Sequence, residues 1–189
     1  MRKIDTNYIV FDLEATCWEQ NNNFKNSEII EIGAVKYKIK DGVLIAVEKF
    51  QRFVKPIKNP VLSDFCKKLT SIKQEDVDSA DTFDVVMKEF GGFIGIGFCL
   101  ISWGNYDKIR IKADCEDHGI QLNRFNHINL KQEFSRITNT KPCGMTKALK
   151  RLNIPLEGTH HRGIDDAINT GKIFETIIND LDLEGGFKN

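Results

Sequence analysis

The order of apolar runs along the chain predicts an α/β domain: a mixed five-stranded sheet, made of a three-strand antiparallel meander plus two parallel strands, flanked by helices. Three observations carry this. Two strand-like runs flank Asp41-Gly42, a residue pair suited to a tight hairpin. Further apolar runs then alternate with segments of helical period. Finally, the first strand leads into Glu14-Ala15-Thr16-Cys17, where a doubly wound nucleotide-binding fold would need a glycine-rich turn.

Each element has its own signal. Residues 8–14 (YIVFDLE) read as a short strand, and 28–37 (EIIEIGAVKY) as a second with partial alternation. Residues 43–54 form the third, ended by Pro56 and Pro60. Residues 63–70 read as a short helix. Thr82 is the expected N-cap of another, with Phe83, Val86, Met87 and Phe90 on one face and Gly91-Gly92 weakening its end. Residues 98–103 (FCLISW) read as a buried strand, and 106–118 as a helix with Asn105 as N-cap and Gly119 as stop. A last short strand is expected over 127–130, and two helices over 144–152 and 164–181.

The 189 residues suit one domain, expected over 1–183, with 184–189 (EGGFKN) as a short flexible tail. A domain of this size needs no staple to fold. The five cysteines are scattered and odd in number, as expected of free thiols in a reducing cytoplasm. Met1 to Asp5 lack the apolar stretch of a signal peptide, and the longest apolar or glycine run, 90–102, is too short to span a membrane. Formal net charge is zero, which argues against a strongly cationic nucleic-acid binder. Bound metal ions and a few local Lys and Arg residues can still hold a phosphate backbone.

Asp12 and Glu14 stand two apart on the first strand, so both point to one face. Converging carboxylates repel and lose hydration, a cost that a bound cation offsets. Oxygen donors favour Mg²⁺ or Mn²⁺. The plain alternative is a solvated strand end. Asp107 follows the strand at 98–103, where α/β sheets present ligand-binding groups, or else it serves only the dipole of its helix. His160-His161-Arg162-Gly163-Ile164-Asp165-Asp166 packs two imidazoles and two carboxylates at the start of the last helix. An imidazole suits a general base. One of the two aspartates is expected to serve only the helix start, and His160 to be a surface or supporting residue. Four carboxylates and a histidine match a two-metal mechanism, in which paired cations clamp a scissile phosphate.

Phe11-Asp12-Leu13-Glu14-Ala15-Thr16, Ser102-Trp103-Gly104-Asn105-Tyr106-Asp107 and His161-Arg162-Gly163-Ile164-Asp165-Asp166 resemble the three motifs of the DEDDh family of 3′–5′ exonucleases, in the ribonuclease-H-like superfamily. The segment from Leu69 to Val77, with Ala80 and Phe83 behind it, extends the likeness, which runs from Tyr8 to Leu181. The subgroup resembled is that of histone-mRNA 3′-end exonucleases and bacterial relatives of the sporulation-inhibitor type. The resemblance implies two Mg²⁺ or Mn²⁺ ions. Asp12 would bridge them, Glu14 and Asp166 would bind the catalytic ion, and Asp107 would act on the second, partly through water. His161 would be the general base, because family spacing sets the base five residues before the last aspartate; this selects Asp166 over Asp165. The Ala15 backbone and the Thr16 side chain would meet the terminal nucleotide. Hydrolysis from a free 3′ hydroxyl would release nucleoside 5′-monophosphates.

The implied partner is nucleic acid with a free 3′ end, with single-stranded RNA favoured by the subgroup resemblance. A DNA exonuclease of proofreading or repair type, a catalytically idle nucleic-acid-binding domain, and a hydrolase of small phosphodiesters are the alternatives. A chain of this length is expected to carry no appended recognition module. Local phosphate contacts are sought at Lys108, Arg110, Lys112, Lys141, Lys147, Lys150, Arg151 and Arg162, and base stacking at Trp18, Phe24 and Phe65. Solvated surface and core packing are the plainer roles for these.

Overall fold

A computed structural model describes residues 6–20, 24–122 and 125–181. The expected tail at 184–189 and the side chain of Phe24 lie outside the described residues. Among those described, no helix is long and apolar enough to cross a membrane.

The strands are β1 (Asn7–Ala15), β2 (Ile29–Lys40), β3 (Val43–Phe53), β4 (Phe98–Ser102) and β5 (Asn126–Asn129). They form one sheet in the order β3-β2-β1-β4-β5. β1, β2 and β3 make the antiparallel meander, and β4 and β5 join it in parallel, β4 beside β1. The hairpin turn is as expected: Asp41 and Gly42 both take positive φ, 51° and 79°, as a type I′ turn requires.

The helices are α1 (Asp64–Thr70), α2 (Gln74–Asp78), α3 (Phe83–Ile94), α4 (Tyr106–Asp117), α5 (Leu130–Ile137), α6 (Met145–Arg151) and α7 (Gly163–Ile177). Two were not expected. α2 has five residues and only Val77 buried, too little for a periodic signal. α5 follows β5 without a break, and Leu130, expected as the last residue of the strand, is the first of the helix. Asn129 caps it, accepting the Gln132 N–H at 3.2 Å, and Leu130 and Phe134 form its buried stripe. Gly91 and Gly92 do not shorten α3, which runs on to Ile94, because the buried face of Phe83, Val86, Met87, Phe90 and Phe93 holds it. Asn105 occupies the N-cap position of α4, but its side chain accepts no capping hydrogen bond. Thr82 likewise precedes α3 without capping it; its hydroxyl donates to Asp84 Oδ1 at 2.6 Å.

The period-two alternation of β1 divides the core. Ile9, Phe11 and Leu13 pack on one face, with α3, Phe50 and Ile111 of α4. Tyr8 and Val10 pack on the other, with Phe134 of α5, Leu149 of α6 and Ala167, Ile173 and Phe174 of α7. Asp12 and Glu14 continue the second series, so strand parity aims them at the face that α7 covers. On β2, Val35 and Tyr37 belong to that same face, which puts Gly33 and Glu31 there too. Gly33 lies opposite Asp12, and Glu31 opposite Glu14. A Cβ at Gly33 would stand 2.1 Å from the Gly163 carbonyl carbon. The missing side chain is what lets the start of α7 reach the sheet.

Candidate active site

That close approach brings the first turn of α7 beside the end of β1. Oxygens of Asp12, Glu14 and Asp166 lie within 4.8 Å of one another. Asp107 enters from the first turn of α4, beyond the carboxyl end of β4. Its Oδ1 accepts the Leu13 N–H at 3.1 Å. The β1–β4 ladder ends at Val10 and Ile101, so this side chain supplies an acceptor that β4 no longer offers. All four carboxylates line one cleft of about 370 Å³. Leu69, Trp103, Tyr106 and Met145 contribute to its walls, and the Trp103 indole is fixed by donating to the Cys143 carbonyl at 3.0 Å.

Crowding shows in the proton affinities. Burial, then the charge of Asp107, holds the Asp12 carboxyl well above its usual range. Burial, then Asp166, does the same to Glu14. Burial pushes Asp107 up to about 6, although the Leu13 N–H pulls the other way. These groups resist ionising next to one another, and a hard divalent cation is the partner that such an oxygen donor set fits.

Both histidines line the cleft. His160 Nδ1 sits 2.9 Å from Asp166 Oδ2, and its ring stacks on that of His161 with centroids 3.9 Å apart. His160 is therefore a supporting residue of the cluster and not bare surface. His161 has φ of +66°, a conformation that costs a non-glycine residue about 1–2 kcal/mol. Its N–H donates to Asp166 Oδ2 at 3.0 Å, which holds the turn. Burial, then the neighbouring His160, keeps the His161 pKa below its usual value, against the opposite pull of Asp166.

The two adjacent aspartates turn to different partners. Asp166 turns into the cleft, while Asp165 accepts the Thr159 N–H at 2.8 Å and steadies the preceding loop. Ala15 lines the cleft. Thr16 does not: it is buried, and its hydroxyl accepts the Glu28 N–H at 3.0 Å. The side-chain contact to a terminal nucleotide expected of Thr16 is corrected accordingly, since that hydroxyl is committed to the loop before β2. Arg110 is also corrected, being buried and paired with Asp114. Arg162 turns to Glu31, and Arg151 donates to Thr140 Oγ1 at 2.8 Å. Lys112 is exposed and its ammonium lies over the Phe125 ring. Lys141, Lys147 and Lys150 remain exposed. Trp18 and Phe65 are half-buried and stand outside the cleft lining.

Sequence reasoning missed Glu31. Its Oε2 accepts the Gly163 N–H at 3.0 Å and faces Arg162 Nε at 3.3 Å. The signal was available, because a glutamate flanked by isoleucines on an apolar strand is as unusual as Asp12. The cleft walls on α1, α4 and α6 had no such signal: apolar residues there read as core.

The exonuclease (RNase T) family model matches residues 9–174. The chain belongs to that exonuclease family. Among its relatives, the 3′-5′ exonuclease Snipper of Drosophila melanogaster is 30% identical over 91% of this chain and 69% of its own length. The Homo sapiens 3′-5′ exoribonuclease 1 is 30% identical over 90% of this chain and 52% of its own. Against the Xenopus laevis ERI1 exoribonuclease 2, at 29% identity, the chain spans 28% of the relative's length. The solved nuclease domain of 3′hExo, a DEDDh family member bound to rAMP, superposes with a TM-score of 0.84 at 28% identity, covering 95% of each chain. The ribonuclease-H-like exonuclease architecture expected from the sequence is thus the observed one.

Proposed function

We propose that this chain is a metal-dependent 3′–5′ exonuclease that hydrolyses single-stranded RNA from a free 3′ hydroxyl and releases nucleoside 5′-monophosphates, acting as one exonuclease domain over residues 1–183. The observation that carries this is the meeting of Asp12, Glu14 and Asp166, from elements more than 150 residues apart in the chain, in a single cleft with Asp107. Three buried or part-buried carboxylates held together against their repulsion make sense as a cation site. Asp12, Glu14 and Asp166 would hold one Mg²⁺ or Mn²⁺ ion, and Asp12 and Asp107 would serve a second. When bound, such ions polarise a phosphate and lower the pKa of water.

The chain's own groups would do the rest. His161, kept largely neutral at physiological pH by burial, would accept the proton of the attacking water. His160 would hold Asp166 in place through Nδ1. The backbone of Glu14-Ala15, at the end of β1 and on the cleft wall, would receive the terminal sugar. Leu69, Trp103, Tyr106 and Met145 offer an apolar surface for the terminal base and exclude water from it. The names of the relatives, exoribonucleases among them, support RNA over DNA.

The test uses 5′-labelled RNA and DNA of equal sequence, each ending in a 3′ hydroxyl or a 3′ phosphate, with and without chelator. A ladder shortening from the 3′ end of hydroxyl-terminated RNA, lost in chelator, is the expected result. Faster cutting of DNA would move the reading to the proofreading or repair type, and no cutting of either would leave a binding domain.

A further inference from the structure

We propose that Glu31 is a positioning residue: it caps α7 from the neighbouring strand and thereby sets where Asp166 and His161 stand against Asp12 and Glu14. The proposal rests on reading this cluster as the metal site. Glu31 is a costly residue to keep here. It is fully buried, and the β1–β2 register sets it directly opposite Glu14 on the same face. Like charges opposite one another across strands are destabilising, and Glu31 adds to the forces raising both Asp12 and Glu14.

Its partners give the reason it is there. Gly163 is the first residue of α7, and Arg162, at the N-cap position, accepts no capping hydrogen bond through its side chain. A helix start leaves four N–H groups without intrahelical acceptors and favours negative charge. Glu31 Oε2 takes the Gly163 N–H at 3.0 Å and the Arg162 Nε at 3.3 Å, while Oε1 accepts Gln51 Nε2 at 2.8 Å. It thus does from 132 residues away what a Ser or Asp N-cap does locally. Gly163 is also pressed to the sheet by the missing Cβ of Gly33. Asp166 follows three residues later on the rigid first turn. His161 precedes by two, its N–H locked to Asp166 Oδ2 at 3.0 Å. The reach of Glu31 therefore fixes one side of the metal cluster relative to the other.

Two variants separate reach from charge. Glu31→Gln keeps the reach and an acceptor for Gly163 but loses the charge. Glu31→Asp keeps the charge and withdraws it by one methylene. Mn²⁺ binding is read by electron paramagnetic resonance on the full chain without substrate, beside melts in chelator that establish folding and kinetics on hydroxyl-terminated RNA. Groups that orient metal ligands typically change metal affinity by about 10–100-fold when removed, so Glu31→Asp should bind Mn²⁺ at least about tenfold more weakly, and Glu31→Gln within about threefold of wild type. For Glu31→Asp, kcat should fall with little change in KM. The reverse order would mean that the carboxylate acts through its charge, and would overturn the proposal. Wild-type Mn²⁺ binding by both variants would overturn it as well. A wild-type chain that binds Mn²⁺ yet cuts no nucleic acid sinks the proposed activity alone and leaves this comparison standing; one that binds no Mn²⁺ sinks both.

Discussion

Replacing Asp12 by Asn removes an ionisable group from a cluster where burial and the charges of Asp107, Glu14, Asp166 and Glu31 hold its proton. The folded apo protein keeps protons that the unfolded chain has released; for Asp107 the window runs from 3.8 unfolded to about 6 folded. Across that window the folded state binds more protons, so these groups make stability fall as pH rises. Asp12→Asn should therefore raise the melting temperature in chelator at pH 7.5, by roughly 2–10 °C. The gain should shrink toward pH 4, where the wild-type carboxyls are already protonated. With Mn²⁺ present the order should reverse, and activity should vanish. A variant less stable than wild type in chelator at pH 7.5 would reveal a structural role for Asp12. At His161 the expected effect is on rate. General-base catalysis contributes about 10²–10⁴-fold, so His161→Ala should lose that much in single-turnover rate, and His160→Ala much less. Because burial and His160 lower the His161 pKa, the wild-type rate should climb with pH through an ionisation below about 6.5, and that limb should vanish in His161→Ala. If His160→Ala is the more damaging change, the base has been assigned one residue too late.

At the scale of elements, two glycines separate packing from propensity. A Cβ on Gly33 would stand 2.1 Å from the backbone of Gly163, whereas one on Gly91 would meet nothing within 4 Å. Gly33→Ala must push β2 and α7 apart, and overpacking of this kind costs about 1–3 kcal/mol. Gly91→Ala lies within the helical run of α3 and should gain about 0.5–1 kcal/mol from helix propensity. Thermal melts in chelator should move in opposite directions for the two. Gly33→Ala should also weaken Mn²⁺ binding, because the displaced helix carries Asp166. Equal shifts at both sites would contradict the close approach of β2 and α7.

For the whole molecule, the sheet edge formed by the ends of β1 and β4 meets the start of α7 only in the folded chain, so metal binding and folding should be linked. Mn²⁺ should raise the melting temperature in proportion to the logarithm of its concentration above its dissociation constant. Asp12→Asn should abolish that dependence. A melting temperature indifferent to Mn²⁺ would sink the metal site irrespective of any nuclease assay. A 3′ phosphate should block the reaction, since the cleft beside Glu14 and Ala15 is read as accepting a free hydroxyl.

Much of this protein could be read from local pattern. The hairpin followed from Asp41-Gly42, the shared face of Asp12 and Glu14 from strand parity, and the sheet from the order of apolar runs, because side-chain period and turn chemistry are local properties. Between Asp165 and Asp166 local pattern left the choice open, and only the spacing implied by the family resemblance favoured Asp166. What the sequence left undetermined depends on groups distant in the chain. Thr16 spends its hydroxyl on Glu28, Arg110 is buried against Asp114, and His160 reaches Asp166. α5 went unseen because its single apolar stripe begins where a strand ends. Glu31 acquires its role only when β2 pairs with β1 and Gly33 admits α7. An isolated strand carries no indication of which helix will start beside it, and hydrogen bonds between groups 132 residues apart exist only after the core has brought them together.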